Sequence, residues 1–247
     1  MTGTRPRGAA SGFDRRGLGR GARRGFPLGA PRAALSEDRD NGRGATVARV
    51  DPLLDVRKLQ VQTERLLVRP LAARDREEWV RVHAASEELF RPWYPARGPG
   101  TALDDVFTSQ IERAAQGLRD GSQARFVGVL ADGRIGGFFN LSDVVYGVFR
   151  NGYAGWSVNV EVAARGIATE GVRALLDLAF APPPEGLGLH RVQANVIPAN
   201  AASLRVAQKA GFRREGLALR YLRIAGKWRD HVMLAKLADE HTLCDRG

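Results

Sequence analysis

Three short segments hold the residues whose types and order suggest chemistry. Ala164-Arg165-Gly166-Ile167-Ala168-Thr169-Glu170 joins an expected strand to an expected helix. The first turn of a helix has N–H groups with no helical acceptor, and the helix dipole makes that end positive. Gly166 and Ala168 lack bulk and Arg165 adds a charge, so the junction reads as a cradle for a phosphate or pyrophosphate. Further along, Asn195-Val196-Ile197-Pro198-Ala199-Asn200-Ala201-Ala202-Ser203 leaves another strand and opens a second helix. Asn200 is its expected N-cap. Ser203 falls in its first turn, with a hydroxyl able to donate a proton or to bond a ligand. The third segment, Lys209-Ala210-Gly211-Phe212-Arg213-Arg214-Glu215-Gly216, places Gly211 just past that helix. A small-residue turn before a helix is commonly mere packing. The succession of the three segments is what points to a ligand.

Other residues are candidates with plainer alternatives beside them. Val158, Asn159 and Val160 end the strand before the cradle and would offer backbone N–H groups to a ligand, unless the strand is simply an inner one. Glu161 and Asp143 are acids near the expected sheet opening, able to relay a proton or merely to be solvated. Asp230 and His231 stand side by side near the end, as a substrate-site pair or a structural one. Trp93 and Tyr94 lie on the proline-bounded loop Arg91-Pro92-Trp93-Tyr94-Pro95, as a peptide-facing wall or as packing. Trp156 and Phe138 read as core. The histidines His83, His190, His231 and His241 show no metal-ligand spacing, so no metal is expected. Cys244 is the single cysteine, which excludes an internal disulfide and makes a reducing, cytoplasmic setting the default.

The elements that must position these residues follow from periodicity. Thr63–Pro70 reads as a strand closed by proline. Residues 74–86 and 102–119 read as helices, the second with Leu103, Phe107, Ile111, Ala114, Ala115 and Leu118 on one face. Residues 125–131 and 134–141 form a hairpin about Asp132-Gly133, and 152–160 another strand. A helix over 168–180, with Val172, Leu175, Leu176, Ala179 and Phe180 as its buried stripe, stops at Pro182-Pro183-Pro184. A strand over 190–197, a helix over 201–210 and a closing hairpin of 216–224 with 230–238 complete the chain. This order specifies an α+β fold: a central, mostly antiparallel mixed sheet with helices on both faces.

The chain has 247 residues and a net charge of +11. Residues 1–58 carry 13 Arg and Lys against 6 Asp and Glu, with abundant Gly, Arg, Pro and Ala. This segment is expected to be disordered, and the folded domain to span 59–240. An inert tail or a start placed too far upstream, a weak RNA or ribosome contact through counterion release, and an organelle presequence remain open for it. No stretch reaches the roughly 18 apolar residues of a membrane span.

Taken together, the three segments resemble the GNAT superfamily of N-acetyltransferases. The opening Thr63-Glu64-Arg65-Leu66, the Arg91-Pro92-Trp93 loop and the closing Tyr221-Leu222-Arg223-Ile224-Ala225-Gly226-Lys227-Trp228-Arg229-Asp230-His231 resemble its Rim-type members, which acetylate the N-terminal amine of ribosomal proteins. The resemblance covers about residues 60–238. It implies the GNAT fold and acetyl transfer from acetyl-CoA to a primary amine, most simply the N-terminal α-amine of a protein. It implies that Arg165, Gly166, Ile167, Ala168 and Thr169 bind pyrophosphate, and that Val158, Asn159, Val160, Asn195, Asn200 and Ser203 line the cofactor. Ser203 then becomes the candidate acid for the leaving thiolate, with Glu161 kept as a catalytic candidate able to relay a proton. Two departures stand out: Ala163 replaces the usual Gln or Arg of the loop, and Ala207 replaces the tyrosine acid of many members, a tyrosine that Rim-type enzymes commonly lack. A small-amine acetyltransferase acting on an antibiotic, polyamine or amino acid, and a non-catalytic acetyl-CoA sensor or RNA-binding protein, are the alternatives. Monomer and homodimer are both compatible with the sequence.

Overall fold

A computed structural model describes residues 56–244 apart from 96, 97 and 99. The basic segment up to residue 55, with every reading of its role, lies outside the described residues. In chain order the elements are β1 (Val61–Gln62), β2 (Leu66–Pro70), α1 (Arg76–Ala85), α2 (Glu87–Phe90), α3 (Leu103–Asp120), β3 (Ala124–Leu130), β4 (Ile135–Val145) and β5 (Asn151–Val158). Then come α4 (Ile167–Phe180), β6 (Arg191–Val196), α5 (Ala201–Lys209), β7 (Arg213–Ile224), β8 (Lys227–Leu237) and α6 (Ala238–Cys244).

The eight strands form one sheet in the order β1-β2-β3-β4-β5-β6-β8-β7. Every neighbouring pair is antiparallel except β5 and β6, which run parallel. That parallel pair is short. It joins only Asn151–Tyr153 to Arg191–Gln193. Beyond it, β5 stays paired with β4 as far as Val158, and β6 with β8 as far as Val196. The two strands therefore diverge in the middle of the sheet while each keeps its outer neighbour.

Side-chain alternation assigns the two faces. One face carries Phe126, Phe139, Leu141, Val192 and Ala194, buried under Val172, Leu175 and Leu176 of α4 and Ala207 of α5. The other carries Val127 and Ile135, covered by Trp79 and Val82 of α1 and Phe107 of α3. Helices lie on both faces, as the sequence predicts. Gly171 sets the closeness of α4 to the sheet: a methyl group there would lie 1.9 Å from the Phe139 ring.

Local chemistry explains the boundaries. α4 stops before the triple proline, which cannot continue a helix. The Asn200 side chain caps α5 by accepting the Ser203 N–H at 3.0 Å, and Gly211 follows that helix with φ +84°. Gly133, at φ +86°, turns the β3–β4 hairpin, with Asp132 accepting the Arg134 N–H. The tight β7–β8 turn places Ala225 and Gly226 at φ +47° and +79°, the signs a two-residue hairpin turn demands. Three features depart from the sequence expectation. The first strand starts at Leu66 instead of Thr63 and pairs with a separate two-residue strand before it, because the Thr63 hydroxyl accepts the Leu66 N–H and the chain turns over between β1 and β2. β4 runs on to Val145 through an irregularity after Ser142, where Asp143 sits at φ +47°. The short helices α2 and α6 have no sequence signature of their own.

Candidate active site

The cradle forms where the chain leaves β5, makes a single 3-10 turn at Val160–Val162 and enters α4. Ala164 and Gly166 both take left-handed backbone, at φ +61° and +85°. Glycine adopts this without cost, whereas alanine carries a strain of about 1–2 kcal/mol. Gly166 is the N-cap and has no side chain with which to cap. The N–H groups of residues 166–169 consequently have no acceptor among the described residues. Sequence reasoning missed the device that supports them. The Arg65 guanidinium donates to the Arg165 carbonyl (2.7 Å) and to the Glu170 carboxylate (2.6 Å). Glu170 also accepts from the Thr63 hydroxyl (2.6 Å) and the Arg65 N–H (2.8 Å). Burial opposes ionisation of Glu170, but the bonds from Thr63 and Arg65 outweigh it and hold the carboxyl below its ordinary pKa. An acid in the first turn of α4 would otherwise repel an anion at the cradle. Arg65 neutralises it.

The divergence of β5 from β6 opens the sheet beside the cradle. The Asn159 N–H bonds the Gly136 carbonyl of β4 (3.0 Å), and the Val160 N–H bonds the Ser86 hydroxyl (3.1 Å). Strand alternation then turns the Val158 N–H toward the gap. This corrects the expectation that Val158, Asn159 and Val160 all offer their N–H groups: only that of Val158 is available. The Asn159 side chain is structural, accepting from the Glu161 N–H and donating to the Ile135 carbonyl. Across the gap, Asn195 turns away from the α4 face, since its neighbours Ala194 and Val196 lie in that core. Its Oδ1 is buried and has no hydrogen-bond partner. The Ser203 hydroxyl is half-buried and bonds no other described residue. Asn200 spends its Oδ1 on the helix cap, leaving its amide N–H₂.

The residues present thus fit an elongated ligand with an anionic end and an amide-bearing arm. Residues 166–169 suit the diphosphate of coenzyme A. The orphaned Asn195 Oδ1 can accept an amide N–H of its pantetheine arm, and Val158 can donate to its acyl carbonyl.

On the opposite face a cavity of about 900 Å³ lies between the helices and the β7–β8 turn. Trp79, His83, Glu87, Tyr94, Arg113 and Ala225 are among its walls. His83 stacks on Trp79 with ring centroids 3.5 Å apart. Tyr94 leaves its ring partly exposed, 5.6 Å from Phe90. Burial pushes the pKa of its hydroxyl up, and Ser157 of β5 acts against that rise. Trp93 is half-buried next to it and does not line the cavity.

The remaining candidates separate. Glu161 is exposed and paired with Arg81 (2.6 Å) and Arg134 (3.2 Å). The Arg81 bond holds its pKa below the ordinary carboxylate value, which ill suits it to take a proton from an ammonium group. Asp143 is exposed on the β4 irregularity. Asp230 and His231 are not a dyad: neighbours on a strand point to opposite faces. The Asp230 carboxylate accepts the Arg220 N–H (2.7 Å) and braces the β7 irregularity, where Arg220 sits at φ +48°. His231 is buried, and its Nδ1 is 3.0 Å from the Arg229 carbonyl, which makes Nδ1 the donor. Burial lowers its pKa, so it is neutral at pH 7 with Nε2 unprotonated. The Tyr221 ring stands edge-on to it at 5.7 Å. No group of metal ligands occurs among the described residues. No described helix is long and apolar enough to cross a membrane.

Residues 65–213 match the family described as acetyltransferase (GNAT) domain, and the chain belongs to that family. It is an acetyl-CoA-dependent N-acetyltransferase with the GNAT fold. Among known proteins, it is 32% identical over 178 residues to the probable N-acetyltransferase YjcK of Bacillus subtilis, covering 70% of this chain and 93% of that one. It is 30% identical over 190 residues to the [ribosomal protein uS5]-alanine N-acetyltransferase of Escherichia coli, covering 76% and 95%. Among solved structures, that of Mycobacterium smegmatis RimJ in complex with CoA-disulfide superposes with a TM-score of 0.64 at 32% identity, over 71% of this chain and 83% of that one.

Proposed function

We propose that the acceptor is the N-terminal α-amine of a protein, with ribosomal proteins as the first candidates. The observation that carries this reading is the cavity of about 900 Å³ between the helices and the β7–β8 turn, which is large enough for several residues of an extended chain terminus. The similarity to an enzyme named for uS5-alanine acetylation supports it. A cytoplasmic setting goes with such a substrate. The basic segment up to residue 58 would add affinity for RNA or ribosomes by counterion release.

Acetyl-CoA supplies an activated acyl thioester. The Val158 N–H donates to the carbonyl oxygen on which charge develops, the contribution expected of an oxyanion donor. Asn195 and the N–H groups of 166–169 fix the arm and the diphosphate. As the C–N bond forms and the C–S bond breaks, the attacking amine releases its proton to solvent, and the Ser203 hydroxyl, reprotonated from solvent, gives its proton to the departing thiolate. An α-amine has a reference pKa near 8, against about 10.4 for lysine. It is already partly neutral at pH 7, and the paired state of Glu161 is then no obstacle.

The test is a thiol-release assay with acetyl-CoA across N-terminal peptides, free amino acids and polyamines. Peptides with a free N-terminal amine should turn over fastest, and N-terminally blocked peptides that keep a lysine should not. A preference for a polyamine or for lysine side chains would replace this reading with the small-amine or lysine one.

A further inference from the structure

The charges around the cavity are unevenly spent. Arg91 pairs with Glu88. Glu87 and Asp105 lie in the first turns of α2 and α3, where the positive helix end offsets a carboxylate. No carboxylate acts on Arg125 among the described residues. Arg113 lines the cavity from α3, eight positions beyond Asp105 and so about 12 Å further along that helix. Arg125 stands on β3 on the same face as Val127, paired in register with Asn140. It is half-buried, and its Nε is fully buried with no hydrogen-bond partner. Arg113 and Tyr94 are the charged and titratable groups that act on it. Burial and Arg113 both work against its charge. Arg113 thus lies on the cavity wall, and Arg125 lies on the sheet face that α3 covers, in register with Asn140 of β4, which pairs in turn with Gly155 of β5. A buried donor left unmade costs free energy that a ligand carboxylate can return.

We propose that the acceptor carries a carboxylate a few bonds from its amine, and that Arg113 and Arg125 hold this group beside β5. The inference rests on the N-terminal reading and narrows it: the substrate is a peptide with Asp or Glu in its first few residues. A free amino acid offers the same amine and carboxylate chemistry from another source. The same cations depress the pKa of an amine placed next to them and repel a polyamine.

The test uses the full chain loaded with CoA. Synthetic peptides that begin with alanine and carry Asp, Asn or Lys at the second to fourth positions are compared by thiol release and, separately, by calorimetric affinity. Free alanine and spermidine are the other arms. The Asp peptide should exceed its Asn counterpart about tenfold to a hundredfold in kcat/KM and in affinity, the worth of a charge-assisted bond. Arg113 is exposed, so Arg113→Glu should fold, retain CoA affinity and shift the preference toward the Lys peptide. Arg125→Gln should level the Asp and Asn peptides. Equal affinity for Asp, Asn and Lys peptides would overturn the proposal, whether or not any of them turns over. Turnover of free alanine above every peptide would keep the carboxylate subsite but discard the N-terminal reading. Efficient turnover of spermidine would discard both.

Discussion

Replacing Gly166 by valine tests the anion cradle directly. Gly166 is exposed and sits at φ +85°, ψ −6°. A non-glycine residue in left-handed backbone costs about 1–2 kcal/mol, and a branched one is the worst suited. The new Cβ would lie 3.2 Å from Arg65 Nη2, close enough that the guanidinium must give way. Its methyl groups must then turn toward Arg65 or out over the N–H groups of 167–169. Losing even one charge-assisted bond to the diphosphate, at about 1.5–3 kcal/mol, weakens CoA about tenfold to a hundredfold. Calorimetric titration of CoA measures the affinity, and thermal melting measures the fold. Ala164→Gly is the control. It relieves the strain at φ +61° in the same turn, so it should leave affinity unchanged and stabilise by about 0.5 kcal/mol. If Gly166→Val melts lower than wild type yet binds CoA as tightly, the backbone of 166–169 does not hold the diphosphate.

Gly171→Ala should destabilise by about 1–2 kcal/mol: helix propensity favours alanine by about 1 kcal/mol, but a methyl 1.9 Å from the Phe139 ring overpacks the core, and a lowered denaturation midpoint at unchanged m-value would register it. Ser203→Ala should lower kcat about a hundredfold and keep the KM for acetyl-CoA within about twofold; steady-state kinetics decides, and an unaltered kcat removes the hydroxyl from the reaction. His231 has a folded pKa below its ordinary 6.5 because burial disfavours its charged form. Its contribution to stability is therefore complete above pH 6.5 and lost as pH falls through the lowered value. Thermal melts from pH 7.5 to 5 should show this loss, and His231→Gln should flatten that part of the profile.

The order of elements was legible because it rests on period and punctuation. Pro182-Pro183-Pro184, Asp132-Gly133 and Ala225-Gly226 stop or turn the chain through backbone chemistry that acts locally. The Asn200 cap and the turn through Gly166 were readable for the same reason. Hydrogen-bond partners across the fold were not. The N–H groups of Asn159 and Val160 are engaged by Gly136 and Ser86, residues far away in sequence. Glu170 reads as a solvated first-turn acid until Thr63 and Arg65 are seen to enclose it. Asp230 and His231 look paired as letters, but a strand separates consecutive side chains, and each serves a different neighbour. Arg125 had one faint signal, a lone cation with inward parity in the apolar run Phe126-Val127-Gly128-Val129. What it faces depends on α3 and the Tyr94 loop, which no local pattern encodes.

The tie from Thr63 and Arg65 to Glu170 fixes where this enzyme can be trimmed. Residues 65–213 carry the family match, but Thr63 lies before that window and β8 after it. A chain cut at residue 65 would leave Glu170 without its hydroxyl donor, and one cut at 213 would strip β6 of its partner along Arg191–Val196. The shortest catalytic fragment therefore begins upstream of Thr63 and ends no earlier than Leu237.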